Sequence, residues 1–298
     1  MADVYLYGMT VVSTIHRCAS RLPLGSGYAE IAETYVCPGG EGMNAAMLLS
    51  RLGLSTALAG PHWGSATRQV LERYALRYGI DAAGVTRDES FEGLRDLVLV
   101  GGDERVVLGS FGSYFADAAR RWDEPDARAI VSAKVIAIDP YFPDSSERAG
   151  DYARAASRPY VTIDCPFDGA LHAGARATVV SREYRRQRYA GASDDALLAE
   201  YTRRSAGVCV FTAGNEPILY GRAASVPARL TPFRVPVKST LGAGDTFRAG
   251  IVFGVTLGLD DAGCVRFAAG LAALLCTRLP IAEHAPTLRE VEDFLATA

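Results

Sequence analysis

Residues 239–254 read STLGAGDTFRAGIVFG, a turn of small residues that runs directly into an apolar segment with helical spacing. Gly242 and Gly244 have no side chains, so a ligand can approach the backbone closely there. The first amides of a helix lack intrahelical partners, and together with the helix dipole they form an anion site. Asp245 lies at this junction. It is therefore either a helix cap or a general base held beside a bound anion.

Length and composition indicate a globular protein with neither a nucleic-acid nor a membrane partner. The chain has 298 residues, of which 49% are hydrophobic and 22% charged, and its net charge is −3. This charge provides no overall basic field for nucleic acid or an anionic membrane. No apolar run approaches the roughly 20 residues that span a bilayer, and the N-terminus lacks a signal-peptide pattern. The six cysteines form no C-x-x-C pair, so we expect reduced thiols and a cytoplasmic protein.

Alternating strand and helix patterns predict an α/β fold. Short apolar runs at 4–7, 135–138 and 208–211 are typical of parallel strands that are buried on both faces. A helical pattern at 194–204 precedes the last of these strands. Ligands of such sheets bind beyond the carboxyl ends of the strands. Three polar residues after the first strand are therefore either ligand contacts or ordinary loop residues: Ser13, Thr14 and His16.

Two half-exposed strand pairs interrupt this alternation, at about 19–36 and 94–108. Both mix apolar and polar residues in a way that is typical of strands with one face in water. Gly101, Gly102 and Asp103 form a hairpin turn in the second pair. We expect a small accessory sheet that serves as a lid, as a homodimer contact, or as both.

A second glycine-rich corner lies between these strand pairs and reads PGGEGMN over residues 38–44. It leads into a helix-forming segment that ends near Gly53. Gly39 and Gly40 would let a ligand reach the backbone, and Asn44 offers donors and an acceptor to hydroxyl groups. Asn44 is equally suited to be the N-cap of the helix.

Together, GGEGMNAA at 39–46 and TLGAGDTF at 240–247 resemble the two signature segments of the ribokinase-like (PfkB) carbohydrate kinase family, in order and in separation. The closing PTLREVEDFL at 286–295 is similar to that family's last helix. The resemblance covers essentially the whole chain. It implies one domain over 1–298, a doubly wound three-layer α/β sandwich with a mostly parallel central sheet and a small β-lid.

The resemblance also implies a reaction, in which the γ-phosphoryl group of ATP is transferred, with Mg²⁺, to a hydroxyl of a small polyhydroxylated metabolite. Asp245 would be the general base, and the amides around Gly242, Ala243 and Gly244 would bind the moving phosphoryl group. Glu183 would reach the magnesium ion through water. The acceptor would be held by Ser13, Gly39, Gly40 and Asn44. The nucleotide would be contacted by Ser181, Glu183, Thr212, Gly214 and Thr240.

The sequence departs from the family pattern at four places. In the turn after the second strand Ser65 stands at the position of the family's aspartate, and in the segment that begins at Thr212 Pro217 stands at the position of its second glycine. Ser13 and Thr14 stand where the family has an aspartate that grips the substrate, which argues against assigning ribose or fructose by default. Ser239 stands where the family has an aspartate, which argues against a monovalent-cation site.

The departures at Ser13, Ser65 and Ser239 motivate one alternative, a ligand-binding relative that has lost or weakened phosphoryl transfer. The other alternative is a nucleoside kinase, favoured if an aromatic base pocket forms near Tyr28, Phe111 and Tyr114.

The nucleotide would have to be bound without a P-loop, since the chain contains no G-x-x-x-x-G-K-[ST] motif. A basic cluster follows Ser181 and is either a solvated helix face or a set of phosphate contacts. Its members are Arg182, Arg185, Arg186 and Arg188.

Overall fold

A central sheet of eight strands forms the main body of the computed structural model, which describes residues 2–23, 26–102 and 104–297. The strands are β1 Val4–Tyr7, β4 Thr56–Ala59, β9 Val135–Ile138, β10 Tyr160–Ile163, β11 Ala177–Val180, β12 Val208–Phe211, β13 Ile218–Gly221 and β14 Ala228–Leu230. Their order across the sheet is β4-β1-β9-β10-β11-β12-β13-β14. The first six strands in this order are parallel to one another. Strand β13 pairs antiparallel with β12, and β14 pairs antiparallel with β13. The predicted α/β fold with a mostly parallel sheet is confirmed.

Successive side chains of the parallel strands point into two different cores. On β9, Val135 and Ala137 belong to one core, and Ile136 and Ile138 belong to the other. All four residues are buried. Because helices cover both faces of the sheet, a fully apolar strand gains burial free energy from every side chain.

The helices form the outer layers. Among the described residues they are α1 Glu41–Arg51, α2 Arg68–Tyr78, α3 Phe111–Ala116, α4 Ala127–Ser132, α5 Ser145–Ala155, α6 Ala170–Ala173, α7 Arg182–Arg188, α8 Asp194–Arg204, α9 Ala243–Thr256, α10 Asp261–Cys276, α11 Ile281–His284 and α12 Leu288–Thr297. Helices α9 and α10 pack closely, since a Cβ on Gly250 would lie 2.5 Å from the Cα of Ala268. None of the helices in these described ranges is long and apolar enough to cross a membrane.

A second sheet of four strands, which we call the lid sheet, is separate from the main body. Its strands are β2 Val11–Cys18, β3 Ile31–Gly39, β7 Arg95–Gly101 and β8 Glu104–Gly109, in the order β3-β2-β7-β8. Residues 24 and 25 of the first predicted lid range, and Asp103 of the predicted hairpin turn, lie outside the described residues. A short parallel pair, β5 Trp63–Gly64 and β6 Arg87–Asp88, belongs to neither sheet.

The first lid strand differs from the prediction. Only residues 8–10 separate β1 from β2, so Ser13, Thr14 and His16 lie in a strand and not in a loop. Strand β2 pairs with β3 on one side and with β7 on the other. Pairing with strands distant in sequence stabilises a segment whose local pattern indicated a loop.

One edge of the lid sheet presents exposed apolar side chains. Strand β8 is an edge strand and carries Val106, Val107 and Leu108, which are all exposed. An unpaired apolar edge is a surface on which another chain can pair. The homodimer through the lid stays a prediction.

Candidate active site

A cavity of about 390 Å³ lies between the lid sheet and the main body. Its volume falls in the range of small-molecule sites, about 300–1,000 Å³. Both sheets contribute to its lining. The polar lining residues include Ser13, Glu41, Asn44, Asp96 and Asp245, and the apolar ones include Ile15, Val98, Phe111, Phe115, Tyr141 and Ile281.

Asp245 faces this cavity as the third residue of α9. The N-cap of α9 is Gly242, with φ 73°, and no side chain caps the helix. Asp245 Oδ2 instead accepts a 2.8 Å hydrogen bond from Nδ2 of Asn44, in the first turn of α1. Neither residue is a helix cap. From the sequence, each of these two side chains could have been either a helix cap or a functional group of the site. The structure shows that they contact each other.

The glycines at the two helix starts have different surroundings. A Cβ on Gly40, with φ 84°, would lie 2.7 Å from the carbonyl oxygen of Met9. A Cβ on Gly242 would lie 2.3 Å from Cδ1 of Ile281. A Cβ on Gly244 would meet nothing within 4 Å. Positive φ favours glycine at both Gly40 and Gly242, and close backbone packing adds to this at Gly40, whereas Gly244 leaves open space beside the first turn of α9.

The first backbone amides of α9 differ in whether they already donate a hydrogen bond within the protein. The Ala243 amide donates to the carbonyl oxygen of Thr240 at 3.2 Å. Within the described parts of the chain, the amides of Gly244 and Asp245 donate to no acceptor. Free amides at a helix start favour an anion. Of the amides predicted around Gly242, Ala243 and Gly244, that of Ala243 is therefore occupied and that of Gly244 is open; the Asp245 amide, which was not predicted, is open as well.

A buried ion pair joins α9 to the main sheet. The side chains of Arg248 and Asp139 are 0% and 1% exposed, and Arg248 Nη1 donates to Asp139 Oδ1. Arg248 Nη2 also donates to the carbonyl oxygen of Glu41 at 2.9 Å, and Asp139 Oδ2 accepts from the Met9 amide at 2.6 Å. Sequence reasoning missed this network. Its partners are far apart in the chain, so no local pattern indicates it.

The carboxyl groups beside the cavity titrate above their ordinary ranges. Burial, and then repulsion from Asp245 and Asp139, raises the pKa of Glu41 to about 8. Burial also raises the pKa of Asp245, against the opposing hydrogen bond from Asn44. A carboxylate whose pKa lies closer to neutral pH is a more effective general base. The environment of Asp245 therefore suits proton abstraction.

Glu41 makes stability depend on pH. Its folded pKa of about 8 exceeds the ordinary value of 4.5, so unfolding releases a proton and stability falls as pH rises through that interval. Glu41→Gln cannot ionise and is isosteric. We expect the Tm advantage of this variant over the wild type to grow as pH rises from about 5 to 8, measured by thermal unfolding in a pH series. A Tm difference independent of pH would contradict the assignment.

Of the three polar residues in β2, Ser13 lines the cavity, and Thr14 and His16 are not among its lining residues. A Cβ on Gly39 would lie 2.3 Å from Ser13 Oγ, so these two predicted acceptor contacts are adjacent. The His16 ring shares a 2.9 Å hydrogen bond with Thr34. Strand alternation explains the difference, since consecutive side chains point to opposite faces.

A second cavity, of about 460 Å³, shares Tyr141 with the first. Ser181 and Glu183, two of the predicted nucleotide contacts, line it together with Asp164. The amide and hydroxyl of Ser181 donate to the Asp164 carboxylate at 2.6 and 2.8 Å. Sequence reasoning did not assign a role to Asp164. The available signal was its position directly after β10, at the carboxyl edge of the sheet.

The carboxylates of the second cavity fit a magnesium ion that keeps much of its water. Among the described residues, no group of three His, Cys, Asp or Glu side chains could hold a metal. Mg²⁺ in phosphoryl-transfer sites is bound by one or two carboxylates, together with phosphates and water. Burial raises the pKa of Asp164, and the nearby charge of Glu183 adds to this shift. The two acids therefore offer a suitable pair of ligands.

Arg105 of β8 connects the lid sheet to the main body. Its Nη1 donates to Thr240 Oγ1 at 3.1 Å, and its Nη2 lies 3.8 Å from Glu183 Oε1. Thr240 and Glu183, both predicted nucleotide contacts, are thus joined by a lid residue. Sequence reasoning missed Arg105, because it is an ordinary surface cation in the local pattern.

The two remaining predicted nucleotide contacts lie outside the lining of both cavities. The carbonyl oxygen of Thr212 accepts a 3.1 Å hydrogen bond from Nη1 of Arg185. A Cβ on Gly214, with φ 65°, would meet nothing within 4 Å. Neither Thr212 nor Gly214 is brought to Ser181 by a direct contact described in the structure. Their nucleotide role stays a prediction.

The basic cluster after Ser181 divides into three environments. Arg185 is buried and donates to the carbonyl oxygens of Val180 and Thr212, so it supports the main body. Arg186 and Arg188 are exposed, and Arg188 lines the second cavity. Arg182 pairs with Glu216 at 3.1 Å. The cluster is neither a uniform solvated face nor a uniform phosphate site.

Of the three aromatic residues near which a base pocket would favour a nucleoside kinase, the structure brings Phe111 to the first cavity, whereas the Tyr28 side chain is 84% exposed. Tyr114 is buried, and its hydroxyl donates a hydrogen bond to the carbonyl oxygen of Arg121. The other two aromatic rings of the cavity belong to Phe115 and Tyr141.

Comparison with known proteins gives a consistent set of relatives. Residues 185–288 match the model of the pfkB family carbohydrate kinases. A nucleoside kinase of Methanothermobacter thermautotrophicus is 28% identical over 80% of this chain and 77% of its own length. A ribokinase of Bacillus subtilis is 24% identical over 87% of this chain and 88% of its own.

The fold is also that of a solved kinase. The structure of Arabidopsis thaliana ribokinase complexed with ribose and ATP superimposes with a TM-score of 0.80 at 18% identity, over 99% of this chain and 98% of that one. The family model covers the second glycine-rich segment, at 240–247, which meets the first one at the hydrogen bond between Asn44 and Asp245. The partial family match, the relatives and the fold together support a ribokinase-like PfkB carbohydrate kinase.

Proposed function

We propose that the protein transfers the γ-phosphoryl group of ATP to a hydroxyl of a small sugar or sugar-like metabolite. One observation carries the proposal. The Asp245 carboxylate, which accepts a hydrogen bond from Asn44, lines the cavity between the lid sheet and the main body, and the free amides of its own helix turn adjoin open space. Phosphoryl transfer depends mainly on positioning and charge stabilisation, which such an arrangement provides.

Asp245 acts as the general base of this reaction. The acceptor hydroxyl gives its proton to the Asp245 carboxylate while its oxygen forms a bond to the γ-phosphorus. The bond between that phosphorus and the oxygen that remains on ADP breaks. Asn44 donates to Oδ2 of Asp245 and so holds the carboxylate in orientation. Gly39, Gly40 and Ser13 form the neighbouring wall against which the acceptor is placed.

Fixed hydrogen-bond donors stabilise the negative charge on the phosphoryl group while it is transferred. The open amides of Gly244 and Asp245 face it from the start of α9, and Arg105 reaches the same region through Thr240. Asp164 and Glu183 would hold the magnesium ion, which neutralises phosphate charge when bound. Preorganised donors of this kind are among the largest contributions to catalysis.

A nucleoside is the second candidate acceptor. The aromatic rings of Phe111, Phe115 and Tyr141 line the same cavity and offer faces for a base. The nucleoside kinase relative from Methanothermobacter thermautotrophicus supports this alternative as well. A relative that only binds ligands remains the alternative outside catalysis.

An acceptor screen tests the proposal. Purified protein with ATP and Mg²⁺ is incubated with sugars, cyclitols and nucleosides, and the phosphorylated product is identified by mass spectrometry beside the ADP formed. Stoichiometric ADP and product with one acceptor class supports the kinase. Tight binding of a panel member without any transfer would favour the ligand-binding relative instead.

Gly244→Ala tests the phosphoryl site in the same assay. The added Cβ meets no protein atom within 4 Å, so the variant should fold normally. The methyl group would occupy the space beside the open amides. We expect kcat to fall about 10²-fold, the typical effect of losing one such donor. Gly84→Ala is the matched control, because a Cβ there also meets nothing within 4 Å and lies outside both cavities. Equal activity of both variants would refute the phosphoryl site.

A further inference from the structure

Asp96 lines the first cavity, but the proposed reaction assigns no role to it. It lies in β7 of the lid sheet, whereas Asp245 belongs to the main body, and both line the first cavity. Strand alternation places Asp96 on the same face as Val98 and Val100, which are buried. A carboxylate thus continues an apolar face at the point where that face meets the cavity.

One oxygen of this carboxylate has no partner. Asp96 Oδ1 is inaccessible to solvent and receives no hydrogen bond from any described residue. Ser13 is paired with Asp96 across β2 and β7, so its hydroxyl lies beside the carboxylate. Burial raises the pKa of Asp96, and the neighbouring Ser13 hydroxyl opposes the shift. A buried acceptor without a donor is costly, so a turn of the Asp96 side chain that brings this oxygen to a donor on a ligand in the cavity would be favoured.

The cavity contains no matching cation. Among its described lining residues there is no lysine, arginine or histidine, while Glu41, Asp96 and Asp245 are acids. Two arginines near the cavity already have partners in the protein. Arg248 is paired with Asp139, and Arg105 donates a hydrogen bond to Thr240. A phosphate or carboxylate group on the acceptor would meet acids and apolar walls without a counter-charge.

We propose that Asp96, supported by Ser13, binds hydroxyl groups of an uncharged acceptor and thereby excludes phosphorylated and carboxylated compounds. This inference rests on the proposed kinase function and names the acceptor class. The acceptor bridges the two parts of the site: one hydroxyl reacts at Asp245, and others donate to Asp96 on the lid sheet. Asp96 is a specificity-determining residue and takes no part in the proton transfer.

The test compares Asp96→Asn with the wild type on matched pairs of compounds. The pairs are ribose with ribose 1-phosphate, and adenosine with its 3′-phosphate. For the wild type, we expect turnover of an uncharged member and at least about 100-fold lower kcat/KM for its phosphorylated partner. For Asp96→Asn, loss of a charge-assisted hydrogen bond should raise the acceptor KM about 10- to 100-fold. The KM for ATP should stay unchanged, and kcat at saturation should stay within a few-fold.

Glu33→Gln is the matched control. Glu33 is a carboxylate of the same lid sheet, pairs with Arg17 at the surface and does not line the cavity. This variant should keep the wild-type acceptor KM. Because the Asp96 carboxylate is desolvated, Asp96→Asn should unfold at a Tm no lower than that of the wild type, which excludes misfolding as the cause of a raised KM.

Two results would overturn the inference. One is a wild type that prefers the phosphorylated member of a pair. The other is an acceptor KM that does not change in Asp96→Asn. If no compound is turned over, the kinase proposal fails, and binding measured by thermal shift decides the role of Asp96. An uncharged compound that stabilises the wild type but not Asp96→Asn supports it; equal stabilisation of both, or binding of no uncharged compound, overturns it.

Discussion

Asp245→Asn is expected to lower kcat by roughly 10²- to 10⁴-fold, the contribution that a general base typically makes. Asparagine has the same shape, and its oxygen can still accept the hydrogen bond from Asn44 Nδ2. Its amide cannot take the proton of an acceptor hydroxyl. Folding and ATP affinity should be retained, because the substitution adds no atom and removes a carboxylate whose pKa burial already raises. Steady-state kinetics with the acceptor found in the screen, together with ATP binding by calorimetry, measure both effects.

Asp260→Asn is the matched control for this substitution. Asp260 also stands at a helix start, but it is the N-cap of α10, and its side chain accepts from the Gly263 amide at 2.7 Å. Asparagine caps helices about as well as aspartate, so this variant should keep full activity. If Asp245→Asn retained kcat within a few-fold of the control, Asp245 would not be the base, and the mechanism proposed for this site would be wrong.

Arg248→Met is expected to destabilise the protein by about 3–5 kcal/mol, the usual effect of breaking a buried ion pair. Methionine can fill much of the volume but leaves Asp139 buried without its counter-charge, although Asp139 keeps the hydrogen bond from the Met9 amide. The repulsion among Asp139, Glu41 and Asp245 would also lose its compensation. Urea unfolding at neutral pH measures the loss as a lower transition midpoint.

Arg289→Met provides the comparison, since Arg289 pairs with Asp293 in α12 at 3.7 Å with both side chains largely exposed. Exposed pairs contribute little, so no measurable change in the urea midpoint is expected. The double variant Arg248→Met/Asp139→Asn should recover part of the lost stability, because it removes the uncompensated charge. Additive losses in the double variant would show that the two side chains do not act as a pair.

Most of the main body could be predicted from the sequence, because its signals are local. The strand bounds 4–7, 135–138 and 208–211 and the helix bounds 194–204 agree with β1, β9, β12 and α8. A strand that is buried on both faces has to be apolar throughout, whatever its neighbours are. The lid was less predictable. Strand β2 carries Ser13, Thr14 and His16, and its pairing with distant strands outweighed a polar local pattern.

The sequence by itself therefore determined the α/β class, the family resemblance and the two glycine-rich helix starts, since chain flexibility and helix-end chemistry act within a few residues. Only the tertiary structure decided what Asp245 and Asn44 do, because both could have capped their own helices and instead bond each other across 201 residues. The same holds for the Arg248–Asp139 pair and for the unpartnered oxygen of Asp96. The partners and surroundings of a buried charge are set by the packing of distant segments, which no local pattern encodes.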